Sequence, residues 1–150
     1  MIKHIWTVIC RASFVDRESN NFSLIETLEY IGLDLAGHSE QETIHIPFPF
    51  DWVTMWRRED INKPSMCYCK DVILSPSGKV IREEEREVDC VKYTTMRMRR
   101  RIGGLAISES GEYRFVTQGK SSKRDKWVVY SDIPLIIEIK RKVRKPSKRE

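Results

Sequence analysis

The densest chemical feature of the 150-residue sequence is Thr95-Met-Arg-Met-Arg-Arg-Arg101. On an extended backbone Arg97, Arg99 and Arg101 share one face at intervals of roughly 6.8 Å, with Met96 and Met98 turned to the core. Such a ladder of guanidinium groups can grip carboxylates or phosphates through paired N–H donors. The plainer alternative is a solvated outer face, or one that pairs with the acidic run Arg82-Glu-Glu-Glu-Arg-Glu87 of a neighbouring strand. That run lacks the glycine and ligand spacing of a calcium loop, so it reads as a solvated strand end.

A second basic feature is the C-terminal end. Residues 140–150 hold Lys140, Arg141, Lys142, Arg144, Lys145, Lys148 and Arg149 against Glu150, a net of +6. The chain as a whole is only +5, so residues 1–139 are close to neutral at −1. A tail of this kind attracts nucleic acid or an anionic surface without base specificity. It contains no aromatic residue on which a base could stack.

The remaining candidates are weaker. Cys67-Tyr-Cys69 puts two thiols on one strand face, with Cys10 and Cys90 elsewhere, but structural zinc sites usually space their ligands two to four residues apart on a turn. These cysteines read as small buried hydrophobes, and no metal or other cofactor is expected. His4, His38 and His45 are the only histidines, and no Gly-x-Ser-x-Gly nucleophile turn accompanies them, so no catalytic residue is nominated and no enzyme is expected. Gly119-Lys-Ser121 mimics the end of a phosphate-binding loop, yet Arg114 stands where that loop needs its first glycine and no helix pattern follows.

The elements that must position these residues are strands. Most of the chain alternates apolar and polar residues with a period of two, in runs separated by turn chemistry. The first run spans 3–11, and Asp16-Arg-Glu-Ser-Asn-Asn21 supplies a turn in which asparagine tolerates a left-handed backbone. Residues 22–31 admit two readings. A Ser23–Glu26 capping box and an apolar stripe favour a helix, whereas alternation with Glu26 alone out of place favours the second arm of a hairpin, which is the reading preferred. Pro47 and Pro49 force the stretch before Trp52 to be extended. Met66–Leu74 and Lys79–Glu87 form a hairpin around Ser75-Pro-Ser-Gly78, whose proline and glycine fit a type I turn. Further runs cover 89–102, 111–118, 127–131 and 135–143, the last two parted by Asp132-Ile-Pro134. Eight or nine such strands predict an all-β protein, an antiparallel β-sandwich of immunoglobulin-like or C2-like kind. A single domain is expected over 1–143, with a disordered basic tail over 144–150.

The layout also resembles a known family. Trp6-Thr-Val-Ile-Cys10, the Asp/Asn-rich turn, Asn21-Phe-Ser-Leu-Ile25, a Pro-Phe element before a Trp/Val strand, Ser75-Pro-Ser-Gly78, Ser110-Gly-Glu-Tyr-Arg-Phe115 and Ile133-Pro-Leu135 are similar to motifs of a bacterial domain-of-unknown-function family of small single-domain β-sandwich proteins. Arg11 departs from the acidic residue that the family commonly carries after the cysteine. The resemblance implies the fold and a bacterial source, and it transfers no functional residue.

Without an export signal or a long apolar run, and with four cysteines expected to be reduced, the chain is expected in the cytoplasm with no membrane span. The leading functional expectation is a non-enzymatic interaction or assembly domain that binds itself or another protein, with residues 47–56, among them Phe48, Phe50, Trp52 and Trp56, or a sheet edge as the contact. The alternative is a binder of nucleic acid or an anionic surface that uses the Arg97/Arg99/Arg101 face and Lys140, Arg141, Lys142, Arg144 and Lys145 of the tail.

Overall fold

The computed structural model describes residues 1–35 and 43–141. These form eleven strands and no helix: β1 (Ile2–Val15), β2 (Phe22–Thr27), β3 (Tyr30–Leu35), β4 (Ile44–His45), β5 (Phe50–Arg58), β6 (Ser65–Leu74), β7 (Val80–Cys90), β8 (Thr95–Ile102), β9 (Ala106–Ile107), β10 (Gly111–Lys120) and β11 (Val128–Arg141). A four-stranded sheet has the order β2-β1-β5-β8, and a five-stranded sheet the order β3-β11-β10-β6-β7. The two-residue strands β4 and β9 pair separately, which takes the count past the eight or nine expected. No helix among the described residues is long and apolar enough to cross a membrane.

The hairpin readings hold where turn chemistry was explicit. β6 and β7 pair antiparallel around Ser75–Gly78, closed by Gly78 N–H donating to Ser75 O at 2.8 Å, with Gly78 at φ 84°. Asn20 takes the left-handed conformation (φ 56°) in the β1–β2 turn.

Residues 22–31 hold two strands and no helix, but they are not one arm. β2 pairs antiparallel with β1, after which the chain changes sheets and β3 runs parallel to β11. The five-stranded sheet is therefore mixed, which corrects the expectation of wholly antiparallel pairing. The switch follows Glu26, the residue that broke the alternation, which sits at φ 53° where a side chain is strained. Leu28 N–H still donates to Ile9 O at 2.9 Å, and Ile136 N–H donates to Glu29 O at 3.0 Å, so the crossing is pinned to both sheets.

Pro134 does not divide β11 either. It stands opposite Arg114 of β10, while β3 begins alongside only at Ile136. Because the Ile136 N–H points towards β3, the proline nitrogen two residues earlier points to the same side, where no ladder bond is lost.

Inward-facing side chains of both sheets meet in one large apolar cluster containing Ile9, Phe50, Trp52, Ile73, Phe115 and Leu135. Phe115 of one sheet meets Phe50 and Trp52 of the other edge to face, with centroids 6.0 and 5.1 Å apart. A smaller cluster holds Ile2, Trp56, Cys67, Cys69, Val88 and Cys90, with Met96 and Met98 packed against it. A polar belt lies between the two. The inner positions run Trp52-Thr54-Trp56 on β5, Ile73-Asp71-Cys69 on β6 and Ile102-Arg100-Met98 on β8, and the polar residue is the middle one each time. Thr117 follows Phe115 in the same way on β10.

Arg100 and Asp71, each 5% exposed, face one another across the sheets. Arg100 Nη2 lies 3.3 Å from Asp71 Oδ2 and 3.0 Å from Glu84 Oε2. These are contacts of charge, and no guanidinium nitrogen of Arg100 has an aligned hydrogen-bond acceptor among the described residues. Thr117 Oγ1 donates to Asp71 Oδ1 at 3.2 Å. Burial pushes the Asp71 carboxyl above its usual range, opposed by the Arg100 charge.

Removing one partner strands the other in the core. Asp71→Ala is expected to cost about 3–5 kcal/mol by urea denaturation, and the double replacement Asp71→Leu with Arg100→Met is expected to recover most of that loss.

Candidate ligand groove between the β1–β2 hairpin and β8

β8 flanks β5 with Arg97 opposite Met55, Arg99 opposite Val53 and Arg101 opposite Asp51. These residues face away from the large cluster, so the three arginines do share the outward face, as their spacing predicts. Arg100, the member of the run that the sequence reading left out, points inward.

That outward face is not open. Asp51 and Val53 are fully buried on it, because the end of β1 and the start of β2 curl back over β5 towards β8. The arginines hold the curl. Arg97 donates from Nη1 to Asn20 O at 2.8 Å and from Nη2 to Asn20 Oδ1 at 3.0 Å. Arg99 Nη1 donates to Ser13 O at 3.0 Å. Ser13 Oγ donates to Asp51 Oδ2 at 2.7 Å, and Arg101 Nη1 stands 3.7 Å from Asp51 Oδ1. Neither alternative for the arginine ladder therefore describes it fully, since its main partners are backbone and amide oxygens of a hairpin remote in sequence.

Between the hairpin and β8 the curl leaves a cavity of about 590 Å³, bounded by Phe14, Phe22, Tyr93, Arg97 and Arg99 among others. A second, of about 320 Å³, adjoins it and shares Asn20, Tyr93, Thr95 and Arg97. No Asp or Glu is among the described residues that line either. The Arg97 guanidinium lies 5.4 Å from the Phe22 ring centroid. Phe14 (48% exposed) and Tyr93 (56% exposed) are open to solvent. Arg99 uses one terminal nitrogen on Ser13, and its Nε and Nη2 make no hydrogen bond among the described residues. The groove thus offers fixed positive charge, open donors and aromatic faces, a combination suited to an anion with an apolar part.

The other nominated residues lie elsewhere. Arg101 stands 3.7 Å from Asp51 and does not line the cavity. Lys140 and Arg141 close β11 beside β3, where Lys140 Nζ is 3.8 Å from Glu138 Oε2. Lys142, Arg144 and Lys145, like the expected disordered tail, fall outside the described residues.

The proposed protein contact needs correction. Phe50, Trp52 and Trp56 are 0–1% exposed, because β5 is an interior strand whose even-numbered residues point into the core. Phe48 is part-buried, with the Arg11 guanidinium 3.7 Å from its ring centroid.

Cys10, Cys67, Cys69 and Cys90 are all free and buried. Burial pushes the Cys67 thiol up to about 12 and raises Cys69 and Cys90 as well. Burial and then the Asp51 charge raise Cys10. No group of three His, Cys, Asp or Glu among the described residues is arranged to hold a metal ion. His4 Nε2 meets Thr7 Oγ1 at 2.7 Å, and its ring stacks on Tyr130 and meets the edge of Trp56. Burial lowers its pKa. His45 Nδ1 meets Gly104 O at 2.9 Å, and His38 lies outside the described residues. Gly119, the end of the apparent phosphate loop, has a packing role: a Cβ there would come within 2.6 Å of the Tyr130 ring.

Phe14, Phe22, Asn20 and Tyr93 were not nominated from sequence. For the three rings the one advance signal was an aromatic residue at a strand end or in a turn, a place where a ring is not obliged to enter the core, and for Asn20 it was the turn itself. No protein-family model matches the chain, and no curated protein matches it in sequence.

The four thiols are expected to resist an aromatic disulfide reagent in the folded protein at neutral pH and all to react once it is denatured. Burial raises Cys67 from 9.0 to about 12, so the folded state keeps a proton that the unfolded chain releases. Its contribution to stability is present below pH 9.0 and falls away as pH climbs towards 12, which thermal melts across that interval will read.

Proposed function

We propose that the chain is a non-enzymatic binding domain of β-sandwich architecture, whose groove between the β1–β2 hairpin and β8 receives an anionic partner. The observation that carries this reading is a cavity lined, among the described residues, by two arginines and no carboxylate, with donors on Arg99 that none of those residues uses. The sandwich is supported by the large apolar cluster to which both sheets contribute, and by nine strands of six residues or more. The resemblance to small bacterial β-sandwich proteins belongs to the same proposal, as does the cytoplasmic setting expected of a chain with four unpaired cysteines.

Of the two functions expected from sequence, the anion binder gains most. Self-association through residues 47–56 loses its motive once three of its four contact side chains, Phe50, Trp52 and Trp56, are buried. The arginine face keeps its motive, with a changed division of labour. Arg97 chiefly holds the hairpin, Arg101 stands beside Asp51 of β5, and Arg99 keeps one bond to the hairpin while its remaining donors meet the ligand. A charge-assisted hydrogen bond contributes about 1.5–3 kcal/mol, so losing Arg99 is expected to weaken binding by about tenfold or more.

Tripolyphosphate titrated into the labelled full-length chain should shift the Arg99 side-chain N–H and the amides of residues 95–99 and Asn20 in proton–nitrogen NMR spectra. Arg99→Ala should abolish those shifts. Shifts confined to residues 140–150 would rule the groove out.

A further inference from the structure

Resting on the anion-binding reading of the groove, we infer that its ligand is single-stranded nucleic acid, with phosphate oxygens on Arg99 and bases stacked on the rings at the rim. Charge alone does not distinguish a phosphate chain from an acidic peptide or a mineral anion. The rings do. Phe14 and Tyr93 stand half in solvent at the mouth of a cavity whose wall carries the Arg97 guanidinium, 5.4 Å from the Phe22 ring. Lys92 Nζ lies 5.4 Å from the Tyr93 ring centroid, so a further cation stands next to that ring. Aromatic faces set among cations in one groove suit a strand whose flat bases alternate with phosphates, since every base has a stacking face and every linkage a charge. An acidic peptide presents carboxylates and no ring to stack, and would leave the apolar wall formed by Phe14, Val15, Phe22 and Met96 uncovered.

A duplex is excluded on different grounds. Its bases are stacked on one another and only their edges and the phosphates are accessible, so the exposed rings would have nothing to cover. The size agrees as well: about 590 Å³, with a further 320 Å³ adjoining, lies in the range of sites that enclose a small group such as a base. The groove therefore takes one or two nucleotides of a longer strand, with no demand on base identity beyond stacking strength. Tyr93 also has a structural merit as a probe, because it sits in the turn between β7 and β8 with its ring exposed and can be changed without opening the core.

Fluorescence anisotropy with a labelled oligothymidylate of about eight nucleotides tests this on the full chain. The comparison set is an oligouridylate of the same length, a duplex of the same length and a polyglutamate matched in charge, the last read by competition. The oligothymidylate or the oligouridylate should bind at least tenfold more tightly than the duplex, and polyglutamate should compete poorly; the tighter of the two single strands tells DNA from RNA. Base–aromatic stacking predicts that Tyr93→Ala loses on the order of tenfold in affinity and Tyr93→Phe loses little. Phe14→Ala provides a second ring removal, and melting temperatures close to that of the unmodified protein will establish that each variant is folded. If all the polyanions bind equally, depend on Arg99 and ignore Tyr93→Ala, the nucleic-acid inference is wrong and the anion groove stands. If no probe is sensitive to Arg99→Ala, the groove reading itself is wrong.

Discussion

One buried contact, the opposition of Arg100 on β8 to Asp71 on β6, constrains how the two sheets of this sequence can meet. Apolar side chains pack in many registers, since the attraction between them has no direction. A guanidinium and a carboxylate enclosed between the sheets have a single acceptable register, because any slip leaves a charge in the core without its opposite. Around this pair the inward positions of β5, β6, β8 and β10 turn from apolar to polar at the same level, dividing the interior into a large cluster and a small one. Glu84, reaching in from the edge strand β7, adds a second carboxylate to the same guanidinium.

The outward face of β8 shows the same residue type in another role. Three arginines at alternate positions meet no row of acids. They meet Asn20, the Ser13 carbonyl and the buried Asp51, and so fasten a hairpin across the sheet. Fastening the hairpin creates the groove and also uses part of the donor capacity that a ligand would need. What is left is uneven: Arg97 has spent both terminal nitrogens and Arg99 only one. A charge ladder that looks uniform along the sequence is thus differentiated by what the curled chain brings against each rung.

Much of the fold is legible in the sequence, and for identifiable reasons. Pro76 and Gly78 mark the β6–β7 turn because their backbone preferences are local, and Asn20 marks the β1–β2 turn on the same ground. Glu26 interrupted an alternating pattern, and the interruption coincides with a strained backbone and a change of sheet. Which sheet the chain would enter, and that β3 would lie parallel to the last strand, left no trace in the pattern, since a strand alternates in the same way whichever partner it finds. Pro134 misled for a related reason: whether a missing N–H breaks a strand depends on whether anything lies on that side of it.

Alternation of side chains by itself determined that this protein is built of strands and that Arg97, Arg99 and Arg101 face one way with Met96 and Met98 facing the other, because pleating is a property of the local backbone. Only the tertiary structure decided that Phe50, Trp52 and Trp56 lie inside, that Arg100 is a core residue and that Phe14, Phe22 and Tyr93 gather beside Arg99. Those outcomes depend on which strand is interior and on how far a sheet curls. Both are set by contacts between residues tens of positions apart, such as Arg97 with Asn20 and Arg99 with Ser13, to which no local pattern is sensitive.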